Sequence, residues 1–509
     1  MIGRRRTQIC LVILILAGAV IRFADIGRLS LWYDEGYTAW AIDRPPGQIV
    51  SVIRGDTAPP LYYLLLHGWA LLFGRSETGL RSMSAALGVA SIVLVAALAR
   101  RVLKNPWAVV VAVFLFVLSY AQTWYSQEAR AYELTAFWTA LMLWSLLSHL
   151  QCPSWKWLAL LIVSVIGGAY THNFMLLYIG AIGVAGLIFP STMPMRRRLR
   201  DMGIVVACLV IAYLPWLGAL SGQIHRVDAN FWLPRPTLDS VCGVLARICG
   251  VEHRWSWDHV IHRLFRDTSI GVPRTMAAGL IGGVILAIVL LRGEKRKMAI
   301  ALSIATLGAP LAAIVDSLLS RPILLPAAVL PSTVVFPILA AGALDWASRR
   351  WTQRLAGAFA VFMLVLTAAN LWAYETERTK EDWRGAAAAV AAMPAVPSRL
   401  ILFADRYSQY PFDYYYRLRA GESERPILPD HLDDLRRQIA EGRLSDIVLV
   451  NSHAGWIDPS GAVHPAFTDP QALGTRMVFG VAALVQRIDL PNDPTKHEIT
   501  IYRCVPIRD

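Results

Sequence analysis

The sequence predicts a polytopic α-helical membrane protein of about eleven transmembrane helices, followed by a C-terminal extracytoplasmic α/β domain. The composition is the first reason: 56% of the 509 residues are hydrophobic and only 17% are charged, whereas soluble domains carry about 25% charged residues. Apolar runs long enough to span a bilayer recur from residue 8 to residue 371. Lysines and arginines cluster between these runs, which is typical of cytoplasmic loops.

The net charge of +13 is explained by this positive-inside pattern, so we expect no nucleic-acid partner. Six cysteines are scattered along the chain. No Cys/His spacing typical of a metal site is present, and Cys242 and Cys249 would lie roughly 10 Å apart along a helix, too far for a disulfide. We expect the cysteines to be small buried side chains.

The first helix decides the orientation of the chain. A basic start, Met1 to Arg6, precedes an apolar run from Ile9 to Val20. This order resembles a signal peptide, but no convincing cleavage site follows it. We therefore expect a retained helix with Arg4 to Arg6 in the cytoplasm, which puts Asp34 and Glu35 on the outer side.

The remaining ten predicted spans lie near 82–100, 106–121, 133–150, 156–170, 173–189, 202–219, 275–291, 298–315, 323–343 and 354–372. The basic clusters at 100–104, 156, 196–200, 292–297 and 349–354 then all fall on the cytoplasmic side. The run from Pro60 to Phe73 is short for a span, so we expect an interfacial or re-entrant helix. Two long outer loops follow from this topology, at about 25–80 and 220–274. The second contains a predicted amphipathic helix from Leu238 to Cys249.

The composition changes after residue 372, which predicts a transmembrane domain over 1–372 and a polar outer domain over 373–509. We expect helices at 382–392, 410–418 and 432–441, and strands at 399–404, 446–450 and 497–504. No nucleotide-binding glycine pattern occurs there. The outer domain is therefore predicted to have a structural or acceptor-docking role.

Polar side chains gather at the predicted outer ends of the spans, and charges are absent from the helix centres. The set comprises Asp34 and Glu35, Gln127, Glu128 and Arg130, His172 and Asn173, and Asp316 and Arg321. If the helices pack together, all would face one outer cavity. Proton-coupled transporters instead place ionisable groups in mid-membrane.

This set suits transfer of a sugar from a lipid-phosphate donor. The phosphate is a good leaving group, so the reaction needs a base or charge partner for the acceptor hydroxyl and cations for the growing phosphate charge. Asp34 or Glu35 can supply the first, and Arg130 and Arg321 the second.

Each of these residues also has a structural interpretation. The Asp34-Glu35 pair could be a solvated helix cap. Arg130 could pair with Glu128 or Glu133, Arg321 could extend its charge to the membrane surface, and His172 could be a hydrogen-bonding loop residue and not a ligand.

The order of short motifs resembles a known family. The series comprises Asp34-Glu35, Pro59-Pro60-Leu61-Tyr62-Tyr63-Leu64-Leu65, Phe73-Gly74, Arg81, Ser126-Gln127-Glu128-Ala129-Arg130-Ala131-Tyr132, Thr171-His172-Asn173-Phe174 and Glu381-Asp382-Trp383-Arg384. Together with the tail from Leu400 to Leu418, it is similar to the bacterial branch of the protein O-mannosyltransferase-like (GT-C, glycosyltransferase family 39) enzymes. The resemblance covers nearly the whole chain, and the order of the motifs is more specific than any one of them.

The resemblance implies a GT-C fold, a polyprenyl-phosphate-linked sugar donor and inverting transfer. By position, Asp34 would be the catalytic carboxylate and Glu35 its neighbour, with Glu128, Tyr62 and His172 as further site candidates. Relatives differ on whether a divalent metal (Mg or Mn) takes part, and Asp34 and Glu35 would hold it. Relatives often carry His or Lys before the Pro-Pro pair, where this chain has Ala58.

The sequence therefore predicts a multi-pass enzyme of the bacterial inner membrane, with its N-terminus in the cytoplasm. It would transfer a hexose from a polyprenyl phosphate to an extracytoplasmic protein, lipid or glycan. A transporter or flippase of a lipid-linked glycan is the main alternative, and a non-catalytic envelope assembly protein is a third.

Overall fold

The protein is represented by a computed structural model. It describes residues 2–230, 235–250, 272–320, 322–346, 350–378, 380–394, 399–403, 408–420, 441, 446–452, 482–490 and 499–506.

Most of the described residues are helical. In chain order the helices are α1 Ile2–Phe23, α2 Tyr33–Ile42, α3 Pro46–Arg54, α4 Leu61–Phe73, α5 Glu77–Val102, α6 Pro106–Leu118, α7 Tyr120–Ser126, α8 Tyr132–Gln151, α9 Trp155–Ala169, α10 Met175–Ile188, α11 Met195–Tyr213, α12 Leu217–Asn230, α13 Leu238–Ile248, α14 Val272–Leu290, α15 Gly293–Leu319, α16 Leu330–Trp346, α17 Arg350–Glu377, α18 Trp383–Ala391 and α19 Gln409–Ala420.

Within the described residues, six helices are long and apolar enough to cross a membrane, or seven if the bent pair α6–α7 is counted as one span. Four shorter apolar helices accompany them, among them α4, α9 and α10. At 15 residues, α9 rises about 22 Å, less than the hydrocarbon thickness. The protein is thus a multi-pass membrane protein, and the count of eleven spans stays a prediction.

The predicted span 106–121 is broken in the structure. Helices α6 and α7 meet at Ser119 with a bend of 53°. Two side chains of α7 have partners there: the Gln122 amide donates to Thr333 Oγ1 at 2.6 Å, and Trp124 Nε1 donates to Glu128 Oε1 at 2.7 Å. The break gives polar residues hydrogen bonds that a straight apolar span would not provide.

The contacts divide the chain into two compact units. Unit 1 comprises Met1–Ile26, Pro45–Gly74 and Gly79–Arg378. Its core is a continuous cluster of buried aliphatic and aromatic side chains that α5, α6, α8, α10, α15 and α16 contribute. Helix α17 packs on α6 and α16, and α13 packs on α14.

Unit 2 comprises Gly27–Arg44, Arg75–Thr78 and Thr379–Asp509. Part of the predicted first outer loop therefore groups with the C-terminal residues. The predicted boundary at residue 372 follows composition alone, which does not register packing between distant segments. The assignment of 1–372 and 373–509 as domains stays a prediction.

The C-terminal residues of unit 2 include a four-stranded mixed sheet. Its strands are β1 Arg399–Phe403, β2 Asp446–Asn451, β3 Ala482–Leu490 and β4 Ile499–Pro506, in the order β1-β2-β4-β3. β1 and β2 are parallel, and the other two pairings are antiparallel. Three strands and helices α18 and α19 were predicted, and β3 was not. The predicted helix 432–441 lies outside the described residues except for residue 441.

Candidate active site

The acidic pair lies in the first turn of α2, in unit 2. Trp32 is extended, and the helix begins at Tyr33. Acidic side chains in a first turn are favourable because the amide groups there have no intrahelical acceptor. Asp34 is partly exposed, whereas Glu35 is fully buried.

Glu35 is held by a cation from the C-terminal part of unit 2. Lys380 Nζ lies 3.1 Å from Glu35 Oε2, and the ammonium lies 5.9 Å from the centre of the Trp32 ring. The same carboxylate oxygen accepts the Trp32 N–H at 3.4 Å. The buried negative charge is therefore compensated within unit 2.

Glu381 also serves the start of α2. Its Oε2 accepts the Tyr33 N–H at 3.3 Å and the Trp383 indole N–H at 2.5 Å. Its backbone oxygen accepts the Ser30 hydroxyl at 2.7 Å. The Glu381-Asp382-Trp383-Arg384 motif thus contacts the turn that carries Asp34.

One oxygen of the Asp34-Glu35 pair is already bonded within unit 2. Glu35 Oε2 is engaged by Lys380 and the Trp32 N–H, so this oxygen is not free to join Asp34 around a divalent ion. The described ranges contain no group of three or more His, Cys, Asp or Glu side chains arranged to hold a metal.

A second polar group lies in unit 1 around Arg130. Arg130 Nη1 donates to the Tyr63 hydroxyl at 3.4 Å, and that hydroxyl donates to Asp56 Oδ2 at 3.5 Å. Tyr63 is buried on α4, and Arg130 lies in the turn between α7 and α8. The three side chains form a relay from a cation through a phenol to a carboxylate.

The chain before Pro59 is held by side chains from later helices. Asn173 Nδ2 donates to the Thr57 carbonyl at 2.9 Å, and Gln223 Nε2 donates to the Ala58 carbonyl at 3.2 Å. Asn173 and Gln223 also bond to each other at 3.0 Å. Ala58 thus contributes a backbone acceptor to this group.

Tyrosines connect Arg130 to a second arginine. The guanidinium carbon of Arg130 lies 5.8 Å from the Tyr132 ring centre, and that ring lies 5.0 Å from the Tyr125 ring. Arg247 Nη1, in the last turn of α13, donates to the Tyr125 hydroxyl at 2.8 Å. We call Arg130, Arg247, Tyr63, Tyr125 and Tyr132 the basic-aromatic cluster.

His172 borders this cluster. Its ring lies 5.7 Å from Tyr132, and Nδ1 accepts the Phe174 N–H at 3.2 Å, so the neutral ring carries its proton on Nε2. Burial, and secondarily the Arg130 charge, lower the pKa of His172 from 6.5 to about 4. The histidine is neutral at physiological pH.

The other predicted residues have different surroundings. Buried Glu128 accepts from Trp124, as described above. The Tyr62 hydroxyl pairs with Ser84 Oγ of α5 at 3.2 Å. Glu133 interacts electrostatically with Arg22 at the end of α1. Arg321 lies outside the described residues.

Gln127 is a connecting residue. Its side-chain oxygen accepts from the Tyr374 hydroxyl at 2.9 Å and from Arg378, and its amide nitrogen donates to the Ile21 carbonyl at 3.0 Å. It therefore joins α7 to α1 and α17 within unit 1.

Sequence reasoning missed Arg247, Asp56, Lys380 and the role of Glu381. The quoted motifs contain Tyr63 and Glu381, which is a usable signal. Arg247 and Lys380 stand in none of the quoted motifs: the helix of Arg247 was predicted, but the contacts of both residues depend on which distant segments pack together. That Asp34, Glu35, Arg130, His172 and Arg321 share one cavity stays a prediction.

Comparisons with known proteins agree on the fold. The family model described as dolichyl-phosphate-mannose-protein mannosyltransferase matches residues 57–217. No curated protein sequence matches the chain.

Three solved structures are similar over most of this chain. ArnT from Cupriavidus metallidurans matches in the apo state (TM-score 0.58, 15% identity) and bound to undecaprenyl phosphate (TM-score 0.55, 14% identity), each over 97% of both chains. The archaeal oligosaccharyltransferase AglB from Archaeoglobus fulgidus, in complex with an inhibitory peptide and a dolichol-phosphate, matches at TM-score 0.50 and 14% identity, over 87% of this chain and 69% of that one. The resemblance stated from the motif series is therefore confirmed, and the chain has the fold of the GT-C glycosyltransferases.

Proposed function

We propose that this protein is a membrane glycosyltransferase that moves a sugar from a polyprenyl phosphate to an extracytoplasmic acceptor. The observation that carries the proposal is the pair of arginines in the basic-aromatic cluster, Arg130 and Arg247, in a chain whose fold matches a structure bound to undecaprenyl phosphate. Two guanidinium groups are the donors that phosphate oxygens prefer.

The proposed reaction is a single displacement. The acceptor oxygen attacks the anomeric carbon while the bond from that carbon to the phosphate oxygen breaks, so the configuration inverts. Asp34 takes the acceptor's hydroxyl proton, and the phosphate keeps the bonding electron pair. Arg130, Arg247 and the predicted Arg321 would stabilise the charge that builds on the phosphate.

The basic-aromatic cluster also suits the lipid end of the donor. Tyr63 and Tyr125 are buried, and their rings are apolar surfaces that end in hydroxyl groups bonded to arginines. Such side chains accommodate an isoprenoid chain beside a charged head group. We assign Glu128 and His172 supporting roles in shaping this site, and Tyr62 a packing role against α5.

The proposal places the protein in a bacterial inner membrane, with the N-terminus in the cytoplasm. The α/β part of the C-terminal residues would then be extracytoplasmic, and the acceptor would be a protein, a lipid or a glycan there. A hexose is the sugar class that the family resemblance favours.

The first experiment identifies the donor. Lipids that co-purify with the full-length protein would be analysed by mass spectrometry, and a polyprenyl-phosphate sugar is the expected species. Incubation with acceptor-containing membranes should release undecaprenyl phosphate. A transporter would instead move the donor with its sugar bond intact, so a missing release would overturn the enzyme assignment.

The second experiment tests the base. Asp34→Asn should lower transfer about 10²- to 10⁴-fold with unchanged donor binding and melting temperature. Asp43→Asn is the matched control, because Asp43 ends the same helix and pairs with Arg75 at an exposed position. A transfer rate in Asp34→Asn within threefold of wild type would sink the assignment.

A further inference from the structure

We propose that Glu35, Lys380 and Glu381 are positioning residues that fix the orientation of the Asp34 carboxylate. Residues 380–384, here called the clamp, would hold the turn that precedes Asp34. The inference rests on the proposed function, because it gives these residues a role in presenting the proposed base. It also gives the C-terminal part of unit 2 a role in the transfer step.

The backbone of that turn is bonded residue by residue. The Leu31 N–H donates to the Tyr415 hydroxyl at 2.7 Å, the Trp32 N–H to Glu35, and the Tyr33 N–H to Glu381. Three successive amide groups are thus satisfied by side chains that lie within unit 2. A turn bonded at every residue has few other conformations available.

The Tyr415 hydroxyl belongs to the same network. It donates to Glu77 Oε1 at 2.9 Å, and Arg384 Nη2 reaches the same oxygen at 2.6 Å. Burial raises the pKa of Tyr415 above its usual value, so the hydroxyl stays protonated. It can therefore donate to Glu77 while it accepts from Leu31.

Burial makes the Glu35–Lys380 pair sensitive to single substitutions. The Glu35 side chain is 0% exposed and the Lys380 side chain 12%. Removing one partner of a buried pair leaves an uncompensated charge, whereas replacing both with neutral groups is far less disruptive. We therefore expect the effects of substituting Glu35 and Lys380 on activity to be non-additive in the double variant.

Glu35 is poorly placed for a direct chemical role. Successive residues of an α-helix point about 100° apart, so Asp34 and Glu35 lie on different faces of α2. Glu35 is buried against Lys380, and Asp34 is partly exposed. The two adjacent carboxylates thus have different functions: one presents its oxygens and the other anchors the helix.

A tight backbone contact also holds the acidic turn against the C-terminal residues of unit 2. A methyl group built on Gly36 would lie 2.5 Å from the backbone nitrogen of Pro411, which precedes Phe412 on α19. The residue after the acidic pair therefore packs directly on the C-terminal helix. Only glycine permits this approach.

The test uses the full-length protein in nanodiscs with its co-purified donor. Lys380→Met and Glu35→Gln should each lower kcat about 30-fold while the donor KM changes less than threefold, and Lys380→Arg should recover most of the rate. The double variant Glu35→Gln/Lys380→Met should be more active than either single variant. Arg417→Met is the matched control, since it removes an exposed partner of Asp413 in the same unit.

Hydrogen exchange separates the inference from the proposed function. The amides of residues 31–33 should exchange at least tenfold faster in Lys380→Met and Glu381→Gln than in wild type, and at the wild-type rate in Asp34→Asn. Three outcomes would overturn the role of the clamp. They are unchanged exchange in Lys380→Met, additive losses of activity in the double variant, and a raised KM with normal kcat in the single variants. Normal transfer by Asp34→Asn would instead overturn the proposed function.

Discussion

The acidic turn of unit 2 and the basic-aromatic cluster of unit 1 are built in opposite ways. In the acidic turn, the buried carboxylate meets an ammonium group at 3.1 Å, and a second glutamate accepts two N–H groups. In the basic-aromatic cluster, the contacts of Arg130 and Arg247 described above are to neutral tyrosines. The first region is built around a buried ion pair, and the second around hydrogen bonds between arginines and tyrosine hydroxyls.

This difference indicates that the acidic turn positions the chain and that the basic-aromatic cluster binds a ligand. A buried ion pair fixes the position of the chain around it, whereas guanidinium groups are the donors that phosphate oxygens prefer. The two halves of the predicted first outer loop illustrate the contrast, because Gly27–Arg44 belongs to unit 2 and Pro45–Gly74 to unit 1.

After Asp34→Asn, the largest effect should follow loss of a cation from the basic-aromatic cluster. Arg130→Met should lower kcat/KM about 100-fold, the range seen when one charge-stabilising donor is removed, and should weaken undecaprenyl phosphate binding. Arg247→Met should act in the same direction, and lysine replacements should retain part of the affinity. Native mass spectrometry of the lipid complex measures the binding.

Arg101→Met is the control for Arg130→Met. Arg101 lies in the last turn of α5 and donates to the Gln151 side chain, and it is not part of the basic-aromatic cluster. If Arg101→Met and Arg130→Met lowered kcat/KM and lipid binding equally, the basic-aromatic cluster would have no special role in binding the donor.

A substitution in the acidic turn should act through geometry. Gly36→Ala places a methyl group 2.5 Å from Pro411, so one of the two segments must shift, at about 1–3 kcal/mol. We expect transfer to fall roughly tenfold while lipid binding is kept.

Gly47→Ala is the matched control, because nothing lies within 4 Å of the added methyl group and Gly47 is in α3. This variant should be neutral or slightly more stable. Equal melting temperatures for the two variants would contradict tight packing at Gly36.

The stability of unit 1 should decrease in acid. The His172 pKa is about 4 in the folded protein and 6.5 as an unperturbed group, so the unfolded state binds more protons between these values. Stability is therefore complete above pH 6.5 and falls toward pH 4, by no more than about 3 kcal/mol. Melting temperatures measured at pH 4.5 and 7 test this.

In His172→Gln the difference between the two pH values should shrink, and in the exposed-site control His225→Gln it should stay. A wild-type slope in His172→Gln would show that other groups cause the acid sensitivity.

The smallest effect should come from one hydroxyl group. Tyr63→Phe removes the oxygen between Arg130 and Asp56, a bond worth about 1 kcal/mol or roughly fivefold in affinity. We expect the donor KM to rise and kcat to stay constant. Tyr62→Phe loses the bond to Ser84 of α5, so it should change the melting temperature and leave KM unaltered.

Much of the fold followed from local sequence patterns. Long apolar runs predicted the membrane helices because burying apolar side chains in lipid needs no partner segment. Short apolar runs predicted β1 and β2 as buried strands, and β4 and the helices α18 and α19 were also predicted. β3 was missed, since its run Ala482–Leu490 is an edge strand recognisable mainly by its pairing with β4.

The candidate site residues could be predicted where a charged residue stands in a recognisable motif at the start of a helix. Asp34, Glu35 and Arg130 stand in short motifs at helix starts, and the family model covers Arg130 and His172. The distinct surroundings of Asp34 and Glu35 were not predictable. Two adjacent carboxylates are alike in sequence, and only packing buries one and leaves the other partly exposed.

The sequence by itself determined the class of protein, the membrane helices and the presence of an acidic pair and of basic and aromatic motifs, because these follow from hydropathy and residue chemistry. The tertiary structure decided that Lys380 compensates Glu35 across 345 positions of sequence, and that Arg247 joins the basic-aromatic cluster through Tyr125. Such pairings depend on which distant segments pack together. Electrostatic and hydrogen-bond energies act over a few ångströms of space and are independent of separation along the chain.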